Sequence, residues 1–357
     1  MKTHNFSAGP CILPGQVFQE ASEALLDFDN LGLSVIEISH RSKNFVAVMD
    51  EAVSLVKELL NVPDSHEVVF LQGGASMQFA MVAFNMLTET GKAQYIDTGA
   101  WANKAYKEAA GLGKAEILAT SKPENYNFVP KGYEIDPSAD YFHCTSNNTI
   151  YGTQMKEFPS SPVPVVCDMS SDIFSRPINV ADFDLIYAGA QKNLGPAGAT
   201  LVIVKKDALG KSGRYIPTML DYNTHISKGS MFNTPPVFSI YVSMLTLRWL
   251  KEIGGINEMY KRNEAKAALL YNEIDRNPLF KGTAAKEDRS SMNACFLLND
   301  EKSHKEDFNA LVAAAKINGI NGHRSVGGYR ASMYNALGLD SVEVLVNCMK
   351  ELEKKHA

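Results

Sequence analysis

Residues 67–97, EVVFLQGGASMQFAMVAFNMLTETGKAQYID, decide the fold of this chain. The β-branched and aromatic residues at 67–71 and again at 93–97 indicate short buried strands. Between them, the apolar spacing over 76–87 indicates a helix that follows a pair of glycines. A helix that connects two strands in this way lets the strands run parallel, so the stretch predicts an α/β fold.

The same alternation extends in both directions along the chain. Upstream, helical spacing covers Gly15–Leu26 and residues 44–60, with Ser42 available as the N-cap of the second helix. Downstream lie a helix at 102–110 and strand-like runs at 115–119, 141–144, 163–167, 184–187 and 200–204. We therefore expect a mostly parallel sheet covered by helices on both faces, with ligands bound at the carboxyl ends of its strands.

The last third of the chain is organised differently. A long helical stretch at 239–277 is interrupted by Gly254 and Gly255, and beyond it strand and helix patterns mix at 292–298, 307–316, 329–334 and 342–353. A chain of 357 residues is too long for one small core, so we expect two units. The prediction is a large domain at 16–262 and a smaller α/β domain formed by 1–15 and 263–357.

Composition narrows the range of functions. The chain is 45% hydrophobic and 21% charged with a formal net charge of -5, which does not favour nucleic-acid binding. No apolar run is long enough for a membrane span, and the first residues lack the apolar core of a signal peptide. The five cysteines are scattered without a C-x-x-C pair, which argues against a zinc site or a disulfide framework. We expect a cytoplasmic protein without a metal site.

A lysine and an aspartate stand at the ends of two predicted strands. The segment 184–198, DLIYAGAQKNLGPAG, presents Lys192 after a buried strand and a run of small residues. An enclosed amine loses part of its preference for the charged form and becomes a nucleophile toward aldehydes. Asp168 ends the strand at 163–167 and should emerge at the same edge of the sheet. A lone lysine is more often a surface residue, and a lone aspartate more often a turn former, so both depend on their context.

That context includes a candidate phosphate site. Gly73 and Gly74 let the backbone approach a phosphate, and Ser76 with the free amides of the helix start supplies hydrogen-bond donors. A Gly-Gly turn with a serine helix cap also has a purely structural use. No complete P-loop, G-x-G-x-x-G or G-x-S-x-G motif is present, so nucleotide-hydrolase, dinucleotide-binding and esterase functions lose their main support.

Aromatic and basic residues complete the candidate set. Trp101 follows another predicted strand, where a flat ring could stack on a flat cofactor or simply pack against the protein. Thr149 provides a hydroxyl in a polar loop. Two His-Arg pairs stand beside small residues and suit a small ligand with several negative charges, although basic clusters are often solvated surface: His40-Arg41, and His323-Arg324 with Arg330.

Together these motifs resemble those of the phosphoserine aminotransferases, a branch of the class V aminotransferases among the fold type I enzymes that use pyridoxal 5'-phosphate (PLP). The resemblance runs nearly end to end, through 5–10, 38–42, 73–76, the Trp101 turn, 147–149, Asp168, 191–193, 232–236 and 322–332. It implies a large domain with a mostly parallel seven-stranded sheet and a smaller α/β C-terminal domain.

The resemblance also implies roles in cofactor binding. Lys192 would hold PLP as a Schiff base, Asp168 would pair with the pyridinium nitrogen, and Trp101 would stack on the ring. Thr149 would contact the phenolic side of the cofactor. Its phosphate would be held by Ala75, Ser76 and Gln191, and from the neighbouring subunit by Asn233 and Thr234. Many relatives carry arginine at the position of Ser76, but backbone amides can still bind phosphate there.

Substrate binding follows from the same resemblance. The carboxylate and phosphate groups of the substrates would be bound by His40, Arg41, His323, Arg324 and Arg330, some of them across a homodimer. The implied reaction transfers the amino group of L-glutamate to 3-phosphohydroxypyruvate in serine biosynthesis, and in some bacteria the family also acts in pyridoxine biosynthesis.

Three alternatives stay open at this stage. A cysteine desulfurase needs a reactive cysteine on a mobile loop, whereas the cysteines here lie in apolar runs or on a late helix. A serine:pyruvate-type aminotransferase would leave His323-Arg324 without a phosphate to bind. A non-catalytic binding or scaffold protein of the same fold predicts damage at Lys192 or Asp168, and neither is altered.

Overall fold

The structure, a computed structural model, describes residues 3–356. In chain order the helices and strands are β1 His4–Asn5, α1 Gly15–Leu26, α2 Lys43–Leu60, β2 His66–Leu71, α3 Gly74–Met86, β3 Lys92–Asp97, α4 Ala100–Leu112, β4 Lys114–Thr120, β5 Tyr141–Thr145, β6 Val165–Asp168, β7 Leu185–Gly189, β8 Thr200–Lys205, α5 Tyr222–Ile226, α6 Val237–Glu252, α7 Gly255–Arg276, β9 Phe280–Gly282, β10 Asn293–Leu298, α8 Glu301–Ala314, β11 Ile317–Asn318, β12 Tyr329–Ser332 and α9 Leu339–His356.

A seven-stranded sheet forms the centre of the molecule, in the order β2-β8-β7-β6-β5-β3-β4. β8 is antiparallel to both of its neighbours, and the other pairs are parallel. Successive side chains of a strand point to opposite faces. Accordingly, Val68 and Phe70 pack with α1, α2 and α6, whereas Val69 and Leu71 pack with α3 and α4. The predicted α/β fold with a mostly parallel seven-stranded sheet is confirmed.

The C-terminal elements bury a core of their own. β9, β10 and β12 form an antiparallel sheet, and β1 pairs in parallel with β11, which brings the start of the chain to this part of the molecule. Phe6 is fully buried there with side chains of α7, α8 and α9. The division into 16–262, and 1–15 with 263–357, stays a prediction, and its residues 1, 2 and 357 lie outside the described part.

Several local predictions are confirmed, but most element boundaries differ from those predicted, by up to six residues at the start of α8. The side chain of Ser42 accepts a hydrogen bond from Phe45 N, and the long helical stretch breaks at Gly254, whose φ is 109°. α3 begins two residues earlier than predicted because Gly73, in the left-handed conformation, serves as its N-cap. β6 begins at Val165 rather than 163, because Pro164 has no N–H for the sheet.

Two further observations bear on the class of protein. All five cysteines are free thiols. No helix within residues 3–356 combines the length and the apolar character that crossing a membrane requires.

Candidate active site

One cavity lies at the carboxyl edge of the large sheet. Seven of the predicted site residues line it: Ala75, Ser76, Trp101, Thr149, Asp168, Gln191 and Lys192. Asp168 is the last residue of β6, and the others come from the segments that follow β2, β3, β5 and β7. Because parallel strands end at the same edge of a sheet, residues far apart in sequence meet at this edge.

The amine of Lys192 is held inside this cavity by a hydroxyl. Its Nζ donates a hydrogen bond to Thr149 Oγ1 at 2.7 Å. Removal of the amine from water lowers the pKa of Lys192 from 10.5 to about 8, although the negative charge of Asp168 acts in the opposite direction. A lysine with this pKa is partly neutral near neutral pH, and the neutral amine is the form that attacks carbonyl carbons.

Asp168 is a buried carboxylate fixed by one neighbouring serine. Its Oδ1 accepts hydrogen bonds from Ser170 N at 2.9 Å and from Ser170 Oγ at 2.6 Å. Burial raises the pKa of Asp168, whereas Ser170 and the charge of Lys192 act to lower it. A cationic ring nitrogen is a favourable partner for a carboxylate in this setting, because it would offset the cost of burying the charge.

The start of α3 provides an anion site on the wall of the same cavity. Gly73 and Gly74 have φ values of 85° and 64°, in the left-handed region that favours glycine. A Cβ at Gly73 would stand 2.5 Å from Met77 Cβ, whereas a Cβ at Gly74 would project into open space. The backbone amides of a first helical turn have no partner within the helix and favour negative charge. The donor set therefore fits the phosphate of PLP.

Trp101 opens α4 with its ring on the cavity wall. Its Nε1 is buried, and within residues 3–356 it has no hydrogen-bond acceptor, so the indole N–H is available to a ligand. Lys104 Nζ lies 4.4 Å from the centroid of the ring, within the range of a cation–π contact. A flat aromatic surface beside Lys192 and Asp168 fits a flat, electron-poor cofactor ring.

Three of the predicted anion-binding residues lie beside the cavity. Arg330 Nη1 donates to Thr149 O at 3.2 Å, which links it to the residue that holds Lys192. Burial, Arg330, Arg324 and Lys104 all lower the pKa of His323, so positive groups converge here. Positive charges this close together repel one another unless a negative ligand is bound. The arrangement therefore suits a substrate with several negative charges.

The remaining predicted residues do not line this cavity. Arg41 is exposed, and His40 Nε2 is buried without a hydrogen-bond partner in the described part of the chain. Asn233 and Thr234 instead stand beside Gln72, whose Nε2 donates to Thr234 O at 2.6 Å. None of the four is among the residues that line the Lys192 cavity.

The cavity also contains residues that the sequence did not single out: Thr145, Ser170 and Ser171. For Ser170 a local pattern existed, since an aspartate followed two residues later by a serine commonly closes a side-chain turn. Cys11 had no such pattern. Its thiol donates to Lys192 O at 2.7 Å, because the N-terminal segment returns to the active site.

Comparisons with known proteins show the family of this chain. Residues 3–345 match the family model described as aminotransferase class-V. A phosphoserine aminotransferase of Flavobacterium psychrophilum is 65% identical over 99% of this chain and 100% of its own. The structure of phosphoserine aminotransferase from Bacillus circulans subsp. alkalophilus is 43% identical with a TM-score of 0.96, covering 100% of this chain and 99% of that one.

A third relative was solved with its cofactor. The PLP-bound phosphoserine aminotransferase of Trichomonas vaginalis is 36% identical with a TM-score of 0.93, over 98% of this chain and 100% of that one. Identity and coverage at this level extend through both the large sheet and the C-terminal elements. The chain therefore belongs to the class-V aminotransferases, in the phosphoserine aminotransferase family.

Proposed function

We propose that this enzyme transfers the amino group of L-glutamate to 3-phosphohydroxypyruvate, giving 2-oxoglutarate and O-phospho-L-serine. One observation carries the proposal: Lys192, Asp168 and the anion-binding start of α3 share a single cavity. Full-length identity of 65% to a phosphoserine aminotransferase supports the same reaction. The reaction is reversible and belongs to serine biosynthesis.

The enzyme uses PLP, and we assign the residues that would hold it. Lys192 would bind the cofactor covalently, and Asp168 would pair with its ring nitrogen. Trp101 would cover one face of the ring, and Thr149 would contact its phenolic side. The cofactor's phosphate would be bound by Ala75, Ser76 and Gln191, and across a dimer by Asn233 and Thr234.

The chemistry divides between the cofactor and the protein. Bound PLP supplies an aldehyde that condenses with amines and a positively charged ring that withdraws electrons. Asp168 would keep the proton on the ring nitrogen. The freed amine of Lys192 would move the proton from the α-carbon of glutamate to the C4′ carbon of PLP, and in the second half-reaction it would move a proton from that carbon to the α-carbon of the acceptor. A pKa of about 8 suits both tasks, because the amine can take up and release a proton near neutral pH.

Substrate selection would rest on positive charge. Arg330, Arg324 and His323 would bind the phosphate or carboxylate groups of the substrates, and His40 and Arg41 would contribute from the other subunit. Arginine suits these groups because its planar guanidinium binds a carboxylate or phosphate through two parallel hydrogen bonds. A plain keto acid would leave part of this positive cluster unpaired.

We also propose that the enzyme is a homodimer with its sites at the interface. Large apolar side chains are exposed in α1, in the loop after it and near Asn233: Phe18, Leu26, Leu31, Leu33, Ile36, Met77, Met219 and Phe232. Exposed apolar surface of this kind commonly marks an interface. Mixing Lys192→Ala with Arg41→Ala tests the arrangement. If Arg41 acts across the dimer, mixed dimers contain one intact site, and about one quarter of the sites should work.

Localisation and a second substrate complete the proposal. Five free cysteines suit the reducing cytoplasm. The phosphorylated acceptor of pyridoxine biosynthesis, a 4-phosphohydroxythreonine precursor, presents the same charged groups and would fit the same positive cluster.

The decisive experiment is a glutamate-coupled assay with three acceptors. The two phosphorylated keto acids should be turned over, whereas pyruvate should react about 10- to 100-fold more slowly in kcat/KM, since one charged contact contributes about 1.5–3 kcal/mol. Arg324→Ala should reduce this preference, and the exposed Arg262→Ala serves as the matched arginine control. Equal rates on pyruvate and 3-phosphohydroxypyruvate would refute the assignment.

A further inference from the structure

The residue after the active-site lysine is a buried asparagine whose amide is fully used. Asn193 is 5% exposed. Its Nδ2 donates to Ile173 O at 3.1 Å and to Ser171 O at 3.4 Å, and its Oδ1 accepts from Asn335 N at 3.0 Å. One side chain thus joins the turn of Lys192 to two other segments that are distant in sequence.

The first of these segments follows Asp168. Phe174 has a φ of 60°, a left-handed conformation that costs a bulky residue about 1–2 kcal/mol. Two further buried asparagines donate hydrogen bonds to the carbonyls of Phe174 and of the residue after it. Asn335 Nδ2 donates to Phe174 O, and Asn263 Nδ2 donates to Ser175 O, both at 3.0 Å. Asn193, Asn263 and Asn335 therefore stabilise together the backbone at 171–175, which follows Asp168.

The second segment, 333–335, is held from the opposite side by a buried lysine. Lys266 is 1% exposed, and its Nζ donates to Met333 O at 2.9 Å and Tyr334 O at 2.8 Å. Asn263 and Lys266 are three residues apart in α7 and so lie on one face of that helix. The contacts run without interruption from α7 through 333–335 to Asn193.

The other hydrogen bonds of the Lys192 backbone turn are local, apart from the one made by the Cys11 thiol. Leu194 N and Gly195 N donate to Ala190 O, and Ala190 N donates to Ala199 O. Lys192 N donates to Ala190 O at 2.7 Å, and Lys192 O accepts from the Cys11 thiol. Because the side chain of Asn193 ties this turn to two segments distant in sequence, the position of the Lys192 amine relative to Thr149 and Asp168 depends on it. A displacement of about 1 Å at a reacting group can lower a rate about 100-fold.

We propose that Asn193 is a positioning residue for Lys192, which ties the lysine turn to the Asp168 segment and to the 333–335 backbone anchored on α7. The inference rests on the proposed function, because it concerns the same reaction. It assigns Asn193 no contact with the substrate. Its effect is to set where the amine stands between Thr149 and Asp168, and Asn335 supports the same arrangement from the C-terminal part of the chain.

The test compares Asn193→Ala and Asn335→Ala with Asn85→Ala. Asn85 is a matched control: it is 1% exposed, its Nδ2 donates to Met81 O and Leu220 O, and its Oδ1 accepts from Tyr222 N. Each holoenzyme is assayed for kcat and KM with O-phospho-L-serine and 2-oxoglutarate. The absorbance of the bound cofactor is titrated with pH, and urea unfolding reports stability.

Asn193→Ala should lower kcat about tenfold or more with KM changed less than about twofold, since the defect lies in geometry rather than in binding. The pH midpoint of the cofactor absorbance should move by at least about 0.5 unit, because the surroundings of the Lys192 nitrogen change. Asn335→Ala should change kcat and the pH midpoint in the same directions as Asn193→Ala, but by smaller amounts. Asn85→Ala should lose a comparable amount of the free energy of unfolding but keep the wild-type pH midpoint of the cofactor absorbance.

An unchanged midpoint and kcat in both variants would overturn the proposal and leave Asn193 as a structural amide only. If Asn193→Ala does not fold, the kcat and pH midpoint of Asn335→Ala test the proposal in its place. A wild-type enzyme that ignores phosphoserine would instead contradict the proposed function, and the comparison of midpoints would still decide the positioning role.

Discussion

Thr149 Oγ1 accepts a hydrogen bond from Lys192 Nζ at 2.7 Å, and the backbone carbonyl of the same threonine accepts one from Arg330 Nη1 at 3.2 Å. One residue of the loop after β5 thereby contacts both the predicted catalytic amine and a predicted substrate-binding guanidinium. The geometry joins the predicted chemistry of the cavity to the predicted recognition of charged substrates.

Thr149→Val removes the hydroxyl with little change of shape. A hydrogen bond to a charged group contributes about 1.5–3 kcal/mol, so kcat/KM should fall on the order of 10- to 100-fold. Thr149→Ser should recover most of the loss, because it keeps the hydroxyl. Steady-state kinetics with phosphoserine check this, and Thr246→Val, the same change in buried α6, is the control. Equal losses in Thr149→Val and Thr149→Ser would point to packing instead.

Asp168→Asn removes the buried carboxylate but keeps an oxygen for the bonds from Ser170. The ring nitrogen then loses its anionic partner, and kcat should fall on the order of 100- to 1,000-fold. Stability should change little, since burial already raises the pKa of this carboxyl and makes its charge costly. Turnover and urea unfolding are measured together. Asp288→Asn, at a buried aspartate that accepts from Val129 N outside the cavity, should keep its kcat.

Capture of added PLP by the apoenzyme should depend on pH through Lys192. Only the neutral amine attacks the aldehyde, and the pKa of Lys192 is about 8. The rate should therefore rise about tenfold per unit up to pH 8 and level off above it. Stopped-flow absorbance measures the rate, with Lys192→Ala subtracted for the other lysines. A rate still rising steeply at pH 10 would mean that the amine behaves as an ordinary exposed lysine.

The alternation of strands and helices could be predicted because it depends on local patterns. Each of these signals acts on residues close to it in sequence: the apolar periodicity, the glycines at 73–74 and 254–255, and the Ser42 cap. Lys192 and Asp168 were predictable for a related reason. Each follows a buried strand, and parallel strands deliver such residues to one edge.

The contacts that complete the site depend instead on distant parts of the chain. Asn335 N bonds to Asn193 Oδ1 across 142 residues, and the Cys11 thiol reaches Lys192 O across 181. No local pattern specifies such pairs, because either asparagine could equally cap a turn or face solvent. The roles assigned to His40, Arg41, Asn233 and Thr234 likewise stay predictions that require a second subunit.

Lys266 should make the stability of the enzyme depend on pH. Burial and nearby Arg262 lower its folded-state pKa to about 7, whereas an unperturbed lysine has a pKa of 10.5. Between these values the unfolded chain binds more protons than the folded one, so the contribution of Lys266 to the free energy of unfolding rises with pH. It is smallest below pH 7, where the buried ammonium is charged and donates to the carbonyls of Met333 and Tyr334.

Lys266→Met keeps an unbranched apolar side chain and removes the titrating group. The stability difference, wild type minus variant, should therefore increase from pH 7 to pH 10, by up to about 1.4 kcal/mol per pH unit. Urea unfolding of the holoenzyme at fixed protein and PLP concentrations measures it, because binding would otherwise change the apparent stability. Lys107→Met, at an exposed lysine of α4, reports the general effect of removing one charge. A difference that stays constant from pH 7 to pH 10 would show that Lys266 keeps its proton in the folded enzyme throughout this range.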